Sequence, residues 1–263
     1  MQRLLVTGGC GYLGQELVGR APRRGWTVRA TWFERPPARD GDWVRVDVRD
    51  AEAVRAALDG VDAVIHTAYR QHADARAVNA AGSAVVATAA RGRRLVHLSS
   101  DVVFRGDRGR YREEDEPDPV NDYGRSKAEG ERLVAAAHPE ATIVRTSLVY
   151  GRPDGPQERL ARGHGPFFVD EIRSPVHVAD LAEALLDVVA IDAAGPLHLG
   201  GADDVSRYAF AVLLGAREPQ AAHTTADRAP NVTLDSSRAA SLVPTRLRGV
   251  YEVLSSSAVR DAR

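Results

Sequence analysis

Tyr123 and Lys127 stand four residues apart in the run Tyr123-Gly124-Arg125-Ser126-Lys127. On a helix that spacing sets both side chains on one face. The chemistry it offers is acid–base catalysis. A free phenol titrates near ~10, and a neighbouring ammonium favours the phenolate, so the proton exchanges more readily near neutrality. A phenol so placed can give a proton to a carbonyl oxygen while hydride reaches the carbon. Ser99-Ser100-Asp101 follows a short apolar run. The Ser100 hydroxyl can hold the reacting carbonyl, or it can serve only a turn that leaves a strand.

The source of hydride is suggested at the other end of the chain. Thr7-Gly8-Gly9-Cys10-Gly11-Tyr12-Leu13-Gly14 carries glycines at 8, 11 and 14, directly after Leu4-Leu5-Val6. Gly8 permits a tight turn, Gly11 lets the backbone approach a pyrophosphate, and Gly14 lets a helix pack on the strand. The helix start, with Tyr12 and Leu13, then presents N–H groups and a positive dipole end to phosphate. The pattern predicts a nicotinamide dinucleotide, with Lys127 also placed to hold its ribose. A NAD site would carry an acid at the end of the second strand. Trp32 falls there, and Glu34 and Arg35 follow. Arg35, with Arg29, could receive a 2′-phosphate, so NADP is favoured and NAD stays open. Asp47-Val48 could meet the adenine, or Asp47 could cap the next helix.

These residues need a scaffold. Short β-rich runs alternate with helical stretches over 1–150. Strands are expected at 4–6, 27–33, 43–46, 62–67, 95–99 and 142–147. Helices are expected at 11–24, 52–58, 75–91 and 123–137. Such alternation implies right-handed crossovers and a doubly wound parallel sheet, a Rossmann-type α/β fold, with Ser100 at the ligand-binding carboxyl end of a strand. Over 151–263 the regularity drops. Residues 151–174 are rich in Gly, Pro and charge, helices are expected at 178–190 and 206–214, and a short strand at 197–199. This part reads as a small substrate lobe with some segments returning to the sheet.

Composition narrows the classes. Lys and Arg total 35 against 36 Asp and Glu, which gives no electrostatic reason for a nucleic-acid or acidic-membrane partner. Cys10 is the single cysteine, so no internal disulfide forms and a thiolate metal site is not expected. The eight histidines show no ligand spacing, and no metal is expected. No apolar run is long enough to span a bilayer, and no secretory leader is evident. A cytoplasmic setting is expected.

Together the glycine turn, Ser100 and Tyr123-x-x-x-Lys127 resemble the extended short-chain dehydrogenase/reductases. Finer segments resemble the dTDP-4-dehydrorhamnose reductases: Leu98 to Gly106, Tyr111 to Pro117, Tyr123 to Glu131, Ser174 to Ala182, Leu197 to Gly201 and Ala229 to Asp235. The resemblance implies an NAD(P)H-dependent reductase of a keto group on a nucleotide-activated sugar, with Ser100, Tyr123 and Lys127 as catalytic residues. It places Thr67, Ala68 and Thr146 at the cofactor, and Ser100, Asp101 and Val102 at the substrate. Asn79 would order its helix or a water. Arg162, His164, Arg173, His177 and Arg228 are candidates for the diphosphate, Arg173 first among them. A homodimer is common in this superfamily.

The chain departs from the pattern in places. His66-Thr67-Ala68 stands where Asn-Ala-Ala is usual, and His66 reads as a core histidine. The loop 151–171 is short, and a usual glycine is missing near Leu242-Val243-Pro244. Val102 follows Asp101 where sugar-nucleotide dehydratases carry a second acid. An epimerase that keeps its NAD, or a cofactor-binding regulatory subunit without chemistry, are the rival expectations.

Overall fold

The structure, a computed structural model, describes residues 2–163 and 165–261. Seven strands form the central sheet: β1 (Arg3–Thr7), β2 (Thr27–Trp32), β3 (Asp42–Arg45), β4 (Ala63–His66), β5 (Arg94–Leu98), β6 (Thr142–Thr146) and β7 (Gly195–Leu199). Their order across the sheet is β7-β6-β5-β4-β1-β2-β3. β1 pairs in parallel with both β2 and β4, and the β2–β3, β4–β5 and β5–β6 pairs are parallel too. The order reverses between β1 and β4. In a doubly wound sheet that switch point, at the carboxyl ends, is where ligands lie.

The strands are almost continuous runs of β-branched and leucine residues because both faces are covered. Leu4, Val6, Val64, Ile65 and Val96 are fully buried. One core is built from Leu5, Val46, Val54, Leu58, Val64, Val86, Leu95, Val134 and Ile143. It joins the sheet to the helices α2 (Ala51–Ala57), α3 (Ser83–Ala89) and α4 (Asp122–Ala137). The turn after β1 leads into α1 (Tyr12–Arg20).

Local chemistry adjusts several expected bounds. α1 stops at Arg20 rather than 24, because Pro22 follows and the chain tightens into a 3-10 turn over Ala21–Arg24. The expected helix at 75–91 opens with a π-helical stretch, Ala77–Gly82, before α3. Asp50, not Asp47, caps α2: its carboxylate accepts from the N–H groups of Glu52 and Ala53 at 2.9 and 3.1 Å.

The chain forms two compact units that interleave in sequence. The first comprises the chain up to Ser99, Asp122–Val144 and Leu185–Pro196. The second comprises Ser100–Asn121, Arg145–Ala184 and the chain from Leu197 onward. A division at residue 150 is what the sequence suggests; residues 100–121 precede that point but fall in the second unit, and 185–196 follow it but fall in the first. That unit has its own core of Tyr150, Val205, Phe210, Val250 and Val253. Within it the stretch 151–174, expected to be irregular, contains α5 (Pro156–Ala161) and short strands at Pro166–Phe168 and Ile172–Arg173. The helices Ser237–Leu242 and Val250–Asp261 were not foreseen. Among the described residues no helix is long and apolar enough to cross a membrane.

Candidate active site

The glycine turn is built as its spacing requires. Gly8 has φ +69°, a conformation that L side chains rarely adopt. Its N–H donates to Thr31 Oγ1 at 3.2 Å and its carbonyl accepts from Gly11 N–H at 2.8 Å. A Cβ at Gly14 would run into the Gly8 carbonyl oxygen, so the helix meets the turn at glycine–glycine distance. The first rung of the α1 ladder is Gln15 N–H to the Gly11 carbonyl, 2.9 Å, which leaves the amides of Tyr12, Leu13 and Gly14 ahead of that ladder. Leu13 is buried in the core and Tyr12 half-buried. With glycine at 8, 11 and 14 the turn carries no side chain at those positions, and the residues fit a dinucleotide pyrophosphate.

The end of β4 closes over the same turn. A Cβ on Gly8 would lie within 2.9–3.1 Å of Ala68 N, Ala68 Cα and Thr67 Oγ1. Thr67 Oγ1 donates to the Thr7 carbonyl at 2.7 Å. Thr67 and Ala68 therefore border the cradle. Tyr69, which follows them, is 53% exposed, and its ring centre lies 6.3 Å from that of Tyr123. No sequence motif marks Tyr69; an aromatic just past a strand's carboxyl end is the one signal available.

Tyr123 and Lys127 share one side of α4, as their spacing requires. Lys127 is only 2% exposed, and its ammonium donates to the Leu98 carbonyl at 2.6 Å. Leu98 ends β5, two residues before Ser100. Burial pulls the Lys127 ammonium down to about 8, against the upward pull of the Glu131 carboxylate. Glu131, one turn further along α4, accepts from the Ser99 hydroxyl. The helix is thus tied to the end of β5 by two side chains.

Asn79 occupies the π-helical turn and is fully buried. Its Nδ2 donates to Ser126 Oγ at 2.9 Å and to the Arg70 carbonyl at 2.7 Å. Its Oδ1 accepts from Arg70 N–H at 2.8 Å. Ser126 Oγ in turn donates to the Tyr123 carbonyl at 2.7 Å. Both amide protons are used, so Asn79 fastens the β4 loop to the Tyr123 turn instead of donating to a water.

His66 is a core histidine, as expected. Its Nδ1 lies 2.6 Å from Thr7 Oγ1 and its Nε2 3.0 Å from Ser83 Oγ. It stacks on His97 with ring centres 5.3 Å apart. Burial, with the Lys127 charge, pushes His66 down to about 3, and the same causes push His97 well below its usual range.

Past the end of β3, Asp47 is held by Arg49, whose Nη2 donates to it at 2.7 Å. That hydrogen bond, opposed by partial burial, holds the Asp47 carboxyl below the usual range. Val48 is 6% exposed and belongs to the core, leaving its main chain for any adenine contact. Arg35 is exposed, and its charge reaches Cys10 in the glycine turn, opposing the upward push of burial on that thiol. Arg29 does not join it. Its guanidinium is spent on the Asp42 carboxylate at 2.9 Å and the carbonyls of Ala57 and Asp59 at 3.2 and 3.1 Å.

In the second unit, Ser100 is half-buried and its hydroxyl donates to Asp101 at 3.2 Å. Val102, also half-buried, sits in the single 3-10 turn Asp101–Val103. Asp101 and Arg173, expected at the substrate, form an internal pair. Asp101 is fully buried, Arg173 is 7% exposed, and Nε donates to Asp101 at 2.7 Å with Nη2 on the other carboxylate oxygen. Arg173 Nη1 donates to Glu171 at 3.2 Å. Burial opposes the Arg173 charge, but Asp101 and Glu171 hold it above its usual value. A buried charge needs such partners. Glu171 also accepts from Arg228 at 2.8 and 2.6 Å and faces Arg207 at 4.0 Å. Thr146 is 5% exposed, its hydroxyl donating to the Leu199 carbonyl at 2.8 Å. His164 lies outside the described residues.

The strand order, the glycine turn at the switch point and the Tyr123–Lys127 helix define a Rossmann-type protein of the extended short-chain dehydrogenase/reductase class. More narrowly, the chain belongs to the RmlD substrate binding domain family, whose model matches residues 1–250. It is 38% identical over 230 residues to a dTDP-4-dehydrorhamnose reductase of Mycobacterium tuberculosis, covering 79% of this chain and 72% of that protein. It is 35% identical over 285 residues to one from Mycolicibacterium smegmatis, covering 96% and 84%. Among solved structures, a dTDP-4-dehydrorhamnose reductase of Clostridium acetobutylicum superposes with a TM-score of 0.81 at 25% identity, covering 99% of this chain and all of that one.

Proposed function

We propose that this chain is an NAD(P)H-dependent reductase of a keto group on a nucleotide-activated sugar. The observation that carries the proposal is the buried Lys127 ammonium, fixed to the Leu98 carbonyl on the helix face that also bears Tyr123. Relatives of this family named dTDP-4-dehydrorhamnose reductase support the substrate class. A bound nicotinamide cofactor would supply hydride to the keto carbon. It would be held by Gly8, Gly11, Tyr12, Leu13 and Gly14 at the pyrophosphate, by Asp47, Val48 and Arg35 at the adenosine, and by Thr67, Ala68 and Thr146 further along.

In the proposed step Ser100 hydrogen-bonds the carbonyl oxygen and Tyr123 Oη gives it a proton, so the ketone becomes an alcohol. Lys127 favours the resulting phenolate by its charge and reaches the ribose hydroxyls. Val102 lies beside the substrate, while Asp101 acts indirectly: held by Arg173, it fixes the turn that presents Ser100 and Val102. The diphosphate falls to Arg228, 39% of whose side chain is exposed, more readily than to the buried Arg173. A homodimer is part of the proposal on the strength of the superfamily resemblance, and light scattering that returns the mass of one chain would remove it.

The test is turnover of dTDP-4-dehydrorhamnose with NADPH and NADH. Consumption of one cofactor molecule per alcohol formed is expected. Cofactor that stays bound and unconsumed while the sugar is epimerised, or that binds with no sugar chemistry at all, would replace this reading with one of the two rivals.

A further inference from the structure

The end of β2 is where a dinucleotide-binding sheet reads the adenosine ribose. In this chain the strand ends at Trp32 and is followed by Phe33, Glu34 and Arg35. Glu34 is the first carboxylate available to a ribose diol, and it is already engaged: it accepts from Arg70 Nη2. Arg70 comes from the loop after β4, and its main chain is fixed there, with both N–H and carbonyl held by Asn79 at 2.8 and 2.7 Å. Its guanidinium also lies close enough to Asp47 for its charge to act on that carboxylate. Arg70 thus links Glu34, just past β2, with the neighbourhood of Asp47, two residues past β3. Arg45 lies 5.7 Å from the ring centres of Trp32 and Phe33, and the charge of Arg35 acts on Cys10 in the glycine turn.

Arg35 and Arg45 thus lie with Arg70 around the end of β2, and Arg70 is the one paired with Glu34. Asp47 brings its own partner, Arg49, which also lies 3.8 Å from Asp74. The Glu34 and Arg70 side chains are 60% and 41% exposed, and an exposed ion pair is weak and readily exchanged. A phosphate offers Arg three acceptor oxygens and a second negative charge, and it accepts the planar fork better than a single carboxylate.

We infer that Arg70 selects the cofactor: Glu34 holds its guanidinium in place until the 2′-phosphate of NADP displaces the carboxylate, with Arg35 as the second cationic ligand. The inference rests on the reading of this chain as a dinucleotide-dependent reductase. Asn79 acts through Arg70, as the residue that fixes its main chain.

The experiment is calorimetric titration of the full chain with adenosine 2′,5′-bisphosphate and with 5′-AMP, which lacks the 2′-phosphate. Wild type is expected to bind the bisphosphate more tightly. Arg70→Ala is expected to lower that preference about tenfold, the loss of one charge-assisted contact. Glu34→Gln, at an exposed position that leaves folding intact, is expected to raise the preference, because the competing carboxylate is gone. Weaker 5′-AMP binding in Glu34→Gln would show that Glu34 reads the ribose diol and would overturn the inference. So would an Arg70→Ala variant with an unchanged preference. If wild type binds neither nucleotide and neither NADPH nor NADH, the dinucleotide reading fails as well; binding of the dinucleotides with no preference between the two probes removes only the role of Arg70.

Discussion

Acid should unfold this protein steeply, and the slope is set by three buried imidazoles. His66 and His97 are each 1% exposed and His198 is fully buried. Burial pushes His66 down to about 3 and His198 to about 4, and pushes His97 well below its usual range. Each is neutral when folded but takes up a proton near ~6.5 when unfolded. A depressed folded-state value means that the stability is present in full above the unfolded value and is lost as pH falls toward the folded one. Near pH ~5 the unfolded chain holds about three more protons, so stability there falls by about 4 kcal/mol per pH unit. A domain stable by roughly 5–15 kcal/mol exhausts that reserve within a few pH units. Urea unfolding followed by fluorescence at a series of pH values measures the slope. His97 isolates one proton, because both of its ring nitrogens lack a hydrogen-bond partner. His97→Leu should reduce the slope to about 2.7 kcal/mol per pH unit and should stabilise the fold, since an unsatisfied buried group is removed. A stability that stays flat from pH 6.5 to 4.5, or a slope that His97→Leu leaves unchanged, would refute the argument.

Other expectations follow from the same geometry. Asp101→Ala leaves the Arg173 guanidinium buried with Glu171 as its remaining carboxylate, and should cost about 3–5 kcal/mol, read as a lower midpoint in thermal or urea unfolding. Because Lys127 titrates at about 8, kcat/KM for ketone reduction should fall as pH rises through that value, and Lys127→Met should abolish this basic limb while lowering the plateau. Gly14→Ala places a methyl group against the Gly8 carbonyl oxygen, and should weaken NADPH binding in a fluorescence titration and lower stability by about 1–3 kcal/mol.

The parallel sheet and its helices were legible because buried strands write nearly continuous apolar runs and because glycine at 8, 11 and 14 has a geometric necessity. The Val178–Ala190 helix had the bounds its periodicity suggested. Tyr123 and Lys127 were legible because the four-residue spacing has meaning on any helix. What escaped the sequence was the pairing of distant charges. Asp101 and Arg173 each looked like a ligand for substrate, and only tertiary structure shows that they satisfy one another. Glu34 and Arg70, 36 positions apart, gave no local sign of a partnership. The π-helical turn at Asn79 has no periodicity that distinguishes it from α-helix, yet it places the amide between Arg70 and Ser126. The helices of 237–242 and 250–261 are short or mixed in polarity, so periodicity alone did not mark them.

The most direct measurement follows hydride and proton together: NADPH deuterated at the transferring position is supplied with dTDP-4-dehydrorhamnose, and the alcohol is examined by mass spectrometry with wild type and with Tyr123→Phe. Deuterium on the former keto carbon with wild type, and a rate at least about 100-fold lower in the variant with cofactor binding retained, is the expected result. Unlabelled product, or a phenylalanine variant as fast as wild type, would contradict the assignment of Tyr123 as the proton donor.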